Sequence, residues 1–283
     1  MALTEKLTIT HIELTTEKRG IPKGFWEGRV TEIKHPEIKA IFVLPDRFEA
    51  ARFTAEKALE IRAEKENPIY SLPSSAQGND VLKEWVRLAK DRGISFHQAQ
   101  FYQLDEYFPI SADDKESFRK NLWDTFYTPL GIRPDQVHQI QADFGMDGIK
   151  VAADYEAELS QISVDLLIHP IGPDGHMGFN ETGTPADSVT HLTQLSDKTV
   201  YRDHVIRGLN TPNEAITQGI DTILRANKIL FIDFSQEYIP YMKDALYGEI
   251  GTHNPSSFLR TVGDKVEVIM PKNVADQVIN TNN

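Results

Sequence analysis

Val164-Asp165-Leu166-Leu167-Ile168-His169-Pro170-Ile171-Gly172-Pro173-Asp174-Gly175-His176-Met177-Gly178-Phe179-Asn180-Glu181 is the stretch from which both the fold and the chemistry are read. Its first half is an apolar run of strand length. Its second half places three proton-handling side chains, Asp174, His176 and Glu181, within eight residues at the end of that strand. Gly175 and Gly178 allow the backbone to turn tightly there or to approach a ligand closely. A histidine between two carboxylates has the parts of a tuned proton shuttle. A lone Asp-Gly-His also fits an ordinary turn. The spacing matches no trusted metal-ligand pattern.

Outward from this stretch, short apolar runs alternate with amphipathic helical ones. Strands are expected at 39–44, 69–72, 96–104, 164–171, 228–234 and 265–270. Helices are expected at 47–66, where Phe48, Ala51, Ala55, Ala58, Leu59 and Ile61 form the apolar stripe, and at 79–92, 117–128, 147–162 and 238–247. Strands separated by helices imply βαβ units. The expected class is α/β: a largely parallel, Rossmann-like sheet with helices on both faces. Residues 39–279 read as one domain. Residues 1–38 read as an N-terminal extension, in which Leu7 to Leu14 alternates as an edge strand or hairpin would, with packing or oligomer contact as its role. Residues 280–283 read as a frayed tail.

The 283 residues suffice for a large core without covalent staples. The chain has no cysteine, which excludes disulfides, thiolate catalysis and cysteine-based zinc sites. A net charge of −12 argues against nucleic acid or an anionic membrane as partner. No signal peptide is evident, and no apolar run approaches the ~20 residues of a membrane helix. The expectation is a soluble, cytoplasmic protein. Any anionic substrate needs a local positive field built against the acidic background.

Two further segments end strands with chemically useful residues, where open α/β sheets collect ligands. In Leu72-Pro73-Ser74-Ser75-Ala76-Gln77-Gly78-Asn79, free backbone N–H groups, the helix dipole and two hydroxyls suit an anion. The same residues also read as a plain helix cap. In Gln103-Leu104-Asp105-Glu106-Tyr107, one of two adjacent carboxylates could serve as a general base. A solvated turn or a cap is the competing reading.

Together, and in this order, the Leu-Pro-Ser-Ser loop, Leu104-Asp105-Glu106-Tyr107 and Asp174 to Glu181 resemble glucosamine-6-phosphate deaminases over about residues 39–270. Sugar-phosphate lactonases of the same superfamily share the Asp-Gly-His core. They usually lack the Phe-Asn-Glu ending and carry Asp-Glu-Arg in place of Asp-Glu-Tyr. The resemblance implies conversion of an amino-sugar phosphate to a keto-sugar phosphate and ammonia, with no redox cofactor or essential metal. It makes Asp105 the base between C2 and C1, His176 the ring-opening residue, and Asp174 and Glu181 the partners of the imidazole. It assigns substrate and phosphate contacts to Ser74, Ser75, Ala76, Gln77, Gly175 and Arg202. After the late strand the family has Ser-Gln-Lys, whereas this chain has Ser235-Gln236-Glu237. An anion in place of that cation disfavours a phosphate dianion by ~1 kcal/mol or more. Lys243 and Arg260 are the expected substitutes. Alternatives to the deaminase are lactone hydrolysis and sugar-phosphate sensing without turnover. A small-molecule sugar phosphate is the expected partner, and a homo-oligomer is left open.

Overall fold

In a computed structural model, residues 9–10 and 25–279 are described. The expectations for the rest of the Leu7–Leu14 alternation and for the tail at 280–283 lie outside these residues. The chain opens with β1 (Ile9–Thr10), β2 (Thr31–Ile33), β3 (Ala40–Leu44), α1 (Arg47–Glu64), β4 (Ile69–Leu72) and α2 (Ala76–Asp91). Next come β5 (Gln100–Gln103), β6 (Asp105–Phe108), α3 (Phe118–Leu122), α4 (Thr128–Leu130), β7 (Val137–His138), α5 (Gly148–Leu159) and β8 (Leu166–Pro170). It ends with β9 (His191–Gln194), α6 (Asp197–Tyr201), β10 (Glu214–Thr217), α7 (Ile220–Leu224), β11 (Ile229–Ile232), α8 (Ile239–Tyr247), β12 (Val266–Pro271) and α9 (Lys272–Ile279).

Among the described residues nine strands form one sheet in the order β1-β2-β3-β12-β11-β8-β4-β5-β7. Pairing is parallel from β3 to β7, while β1 and β2 add antiparallel at the β3 edge. The expected α/β class is therefore the observed one. Alternation along the strands sends side chains to two cores. Phe42, Leu230 and Ile232 join Phe53, Tyr70, Trp85 and Phe101 under α1 and α2. Ile41, Ile229, Phe231 and Val268 join residues of α8 and α9 on the opposite face. The strands are buried on both sides because helices cover both.

A second sheet, β6-β10-β9, is antiparallel and was not anticipated. The chain leaves β5 at Leu104, whose N–H still donates to Leu72 O at 3.1 Å, and starts the new sheet at Asp105. Beneath it lies a third core built around Tyr107, Phe179, Tyr155 and Ile216.

Several boundaries differ from expectation. The strand expected over 96–104 begins at Gln100, because Gln136 Nε2 donates to Phe96 O (2.6 Å) and Ala99 O (2.8 Å) and holds 96–99 as a turn. The helix expected over 117–128 widens to a π turn at Trp123–Tyr127, where Thr128 N reaches back to Trp123 O. Pro129 has no N–H to continue the α ladder. Phe48, assigned to the buried stripe of α1, is 78% exposed.

Strand order places the functional cavity. From β4 the sheet grows outward through β5 to β7. From the adjacent β8 it grows the other way, through β11 and β12 to β3. The chain thus reverses direction of growth between β4 and β8, and the loops leaving their carboxyl ends diverge and open a crevice.

Candidate active site

The crevice is a cavity of about 330 Å³. Its walls come from the segments that follow β4, β5, β8 and β11, together with residues 202–207 after α6. Two of the four expected catalytic side chains, Asp105 and His176, line it.

Asp105 and Glu106 separate completely. Glu106 points away from the cavity, fully buried, and accepts from Ser117 Oγ (2.9 Å), Phe118 N (2.9 Å) and Arg119 N (2.8 Å) at the start of α3. It is the helix cap that the sequence offered as the competing reading. Asp105 faces the cavity at 7% exposure, and no group among the described residues hydrogen-bonds its carboxylate. Burial first, and the charge of Glu106 second, push its pKa well above the ordinary carboxylate value. Gly178, at φ +59°, makes the close approach possible: a Cβ there would sit 2.6 Å from Thr217 Oγ1 and 3.4 Å from Asp105 Oδ2.

His176 follows the short turn after β8. Its Nδ1 lies 3.0 Å from Asp174 Oδ1. An N–H at Nδ1 donating to that carboxylate leaves Nε2 as the ring atom available to exchange a proton. Asp174 itself sits behind the ring, outside the cavity lining, in the left-handed region at φ +62°. The ring rests on Gly172, where an added Cβ would stand 1.9 Å from Nε2.

Glu181 departs from expectation. It accepts from Ser196 N (2.7 Å), Ser196 Oγ (3.0 Å) and the Thr199 hydroxyl, and does not hydrogen-bond His176. The tight Met177–Asn180 pairing reverses the chain after His176, so Glu181 meets the start of α6 instead. Gly175 is also outside the lining. It carries φ +78° and packs against Asn254, whose Oδ1 would lie 2.0 Å from a Cβ. Its glycine character answers to that contact.

Ser74, Ser75, Ala76 and Gln77 all line the cavity. Ser75 caps α2, accepting from Gly78 N at 3.0 Å, so cap and cavity wall are one feature. Ser74 Oγ accepts from Asn121 Nδ2 at 3.1 Å and keeps its own proton to donate. Gln77 ties the loop down: its Nε2 donates to Ile171 O at 3.4 Å and its Oε1 accepts from Phe234 N.

Across the cavity stand Arg202, as expected, and Arg207, which sequence reasoning missed. Both donate to Asp203, Arg202 Nε at 3.1 Å and Arg207 Nη1 at 3.0 Å, and the Tyr107 hydroxyl donates to the same carboxylate at 2.8 Å. Burial opposes ionisation of Asp203, but Arg202, the Tyr107 hydroxyl and Arg207 outweigh it and hold its pKa below the ordinary value. Neither Lys243 nor Arg260 lines the cavity. Arg260 is committed to Glu37 at 2.8 Å and to Gly248 O. The cation that lines the cavity besides Arg202 is therefore Arg207. It lies five residues beyond Arg202 in Arg-Asp-His-Val-Ile-Arg, just past a π turn, and nothing in the sequence signals that turn. Among the described residues no cluster of three or more potential ligands is arranged to hold a metal ion.

The arrangement supplies an unpaired carboxylate of raised proton affinity, an imidazole with one nitrogen fixed, and an anion-facing end made of hydroxyls, a helix start and two arginines. The family model described as glucosamine-6-phosphate isomerases/6-phosphogluconolactonase matches residues 75–267. A Giardia intestinalis protein named glucosamine-6-phosphate deaminase 1 is 28% identical over 209 residues, covering 72% of this chain and 78% of its own length. A Thermoanaerobacter protein named glucosamine-6-phosphate deaminase is 27% identical over 233 residues, covering 81% of this chain and 91% of its own. Among solved structures, a monomeric glucosamine-6-phosphate deaminase superposes with a TM-score of 0.78 at 25% identity, covering 84% of this chain and 99% of that one. A 6-phosphogluconolactonase from Trypanosoma cruzi superposes with a TM-score of 0.67 at 17% identity, covering 83% and 95%, a likeness of fold. With well over half of its length matched by one family model, the chain belongs to the glucosamine-6-phosphate isomerase/6-phosphogluconolactonase family.

Proposed function

We propose that the protein is an aldose–ketose isomerase and deaminase that converts glucosamine 6-phosphate, or a close amino-sugar phosphate, with water to the ketose phosphate and ammonia. The observation that carries this reading is the free, buried Asp105 carboxylate in one cavity with the Asp174-held His176. A carboxylate whose burial raises its proton affinity is a stronger base for removing a proton from carbon.

In this reading His176 Nε2 moves a proton between the anomeric hydroxyl and the ring oxygen and opens the pyranose. The C2 proton, now α to an aldehyde, passes to Asp105. Asp105 returns it to C1 while a proton from the amine nitrogen ends on O1, which leaves a hydroxyl at C1 and an imine at C2. Water adds to the imine and ammonia departs. Asp174 keeps the imidazole in one tautomer. The Ser74–Gln77 loop and Arg202 hold the phosphate, and Arg207 joins them.

Incubation of purified protein with glucosamine 6-phosphate should release ammonia and fructose 6-phosphate in equal amounts. No ammonia from either the glucosamine or the galactosamine phosphate would sink the proposal. The engagement of Glu181 by Ser196 and Thr199 favours one second reading, hydrolysis of a sugar-acid lactone phosphate, which needs fewer of these acid–base groups. Lactone opening in the absence of ammonia release would select it.

A further inference from the structure

We infer that Glu237 is a charge-specificity residue, which holds the anion-facing end of the cavity at zero net fixed charge and weakens its grip on a dianion. Four ionised side chains define that end. Arg202, Arg207 and Glu237 line the cavity, and Asp203 supports the two arginines from behind. Two positive and two negative groups cancel. Arg202 and Arg207 direct donors at Asp203, so neither is wholly available to a ligand. The Glu237 carboxylate is exposed and makes no hydrogen bond or ion pair among the described residues. Its backbone is fixed, because Ser235 Oγ accepts from Glu237 N at 3.2 Å at the turn after β11. Tyr238, next in the chain, lies within reach of the fields of Glu237, Arg202, Asp233 and Arg207 at once.

What remains to attract an anion is the start of α2, with the Ser74 and Ser75 hydroxyls, equivalent to roughly half a positive charge. Such an end suits a terminal group of one negative charge, or a hydroxyl, better than a phosphate dianion. In the deaminase reading, on which the choice of sugar rests, Glu237 reduces what the wild-type protein gains from the phosphate of its substrate, which the Ser74–Gln77 loop and the two arginines still hold.

The test measures binding of inorganic phosphate near neutral pH by calorimetry, which requires no turnover. Wild type is compared with Glu237→Gln, Glu237→Lys and Glu249→Lys. The last variant changes net charge as Glu237→Lys does but lies outside the cavity lining. We expect phosphate affinity to rise about fivefold or more in Glu237→Gln and further in Glu237→Lys, the effect of one and then two unit charges at close range. Glu249→Lys should behave as wild type. The preference for glucosamine 6-phosphate over glucosamine, measured as the ratio of kcat/KM, should rise in the same order. Equal phosphate affinity in wild type and Glu237→Lys, or an equal rise in Glu249→Lys, overturns the inference. If no variant releases ammonia, the deaminase reading falls, and the phosphate titration still decides the role of Glu237.

Discussion

Asp105 and Glu106 are neighbours in sequence with opposite tasks, and a mutation at the first separates chemistry from folding. Asp105→Asn removes the proton acceptor and keeps the shape. The expected result is a fall in kcat of about 10²–10⁴-fold. The same variant should melt higher than wild type at neutral pH, because burial penalises the ionised carboxylate and no partner offsets it. Loss of activity together with loss of Tm would point to a structural role instead. Gly172 offers a second separation. Its φ of −100° is open to any residue, so Gly172→Ala imposes no backbone strain. The three atoms nearest the new methyl would all belong to the imidazole, Nε2 at 1.9 Å. The ring must move, and displacement of a reacting group by about 1 Å can cost on the order of 10²-fold in rate. Circular dichroism and Tm should be close to wild type while turnover is lost; an active Gly172→Ala enzyme would remove His176 from the mechanism.

At the scale of elements, Glu181 acts through α6. Its carboxylate binds Ser196 N, Ser196 Oγ and Thr199 Oγ1, and so anchors the segment that ends in Arg202 and Arg207. Glu181→Gln should therefore raise KM more than it lowers kcat, with a loss in stability of about 1 kcal/mol for the weakened cap. A fall in kcat with KM unchanged would show instead that Glu181 reaches the imidazole during the reaction. The sequence marked the loops after β4 and β8 because these strands are largely apolar runs bounded by punctuating residues. It did not reveal β6, β9 and β10. Asp105–Phe108 follows β5 after a single residue and has no period of its own, being buried at all four positions. Nor could periodicity show that Glu181 turns away from His176. That depends on the reversal at Met177–Asn180, a matter of backbone geometry. Arg207 stayed hidden for a similar reason: it lies five residues beyond Arg202, just past a π turn that periodicity does not show.

For the molecule as a whole, the two ends of the parallel sheet carry opposite electrostatic designs. At the amino end Glu267 is buried, yet Lys57 and Lys228, with Lys39 beside them, outweigh the burial and keep its pKa below the ordinary value. At the carboxyl end, burial dominates. It raises Asp105 and Glu106, and pushes Asp233, just past β11, up to about 7 from the ordinary 3.8. Groups of the first kind stabilise the fold above their unfolded pKa and lose that contribution as pH falls through the folded value. Groups of the second kind hold protons in the folded state that the unfolded chain has released, so stability falls as pH rises from 3.8 toward 7. The protein should accordingly be most stable on the acid side of neutrality. Asp233 isolates the effect: Ser235 N donates to its Oδ1 at 2.9 Å, an acceptor that asparagine retains, while its Oδ2 is buried without a partner. Asp233→Asn should raise Tm at about pH 8, by the equivalent of at most about 4 kcal/mol, and change it little near pH 3, where both states are largely protonated. Melting curves at the two pH values decide the matter, since a shift of equal size at both would mean that packing at this position, rather than ionisation, sets its contribution.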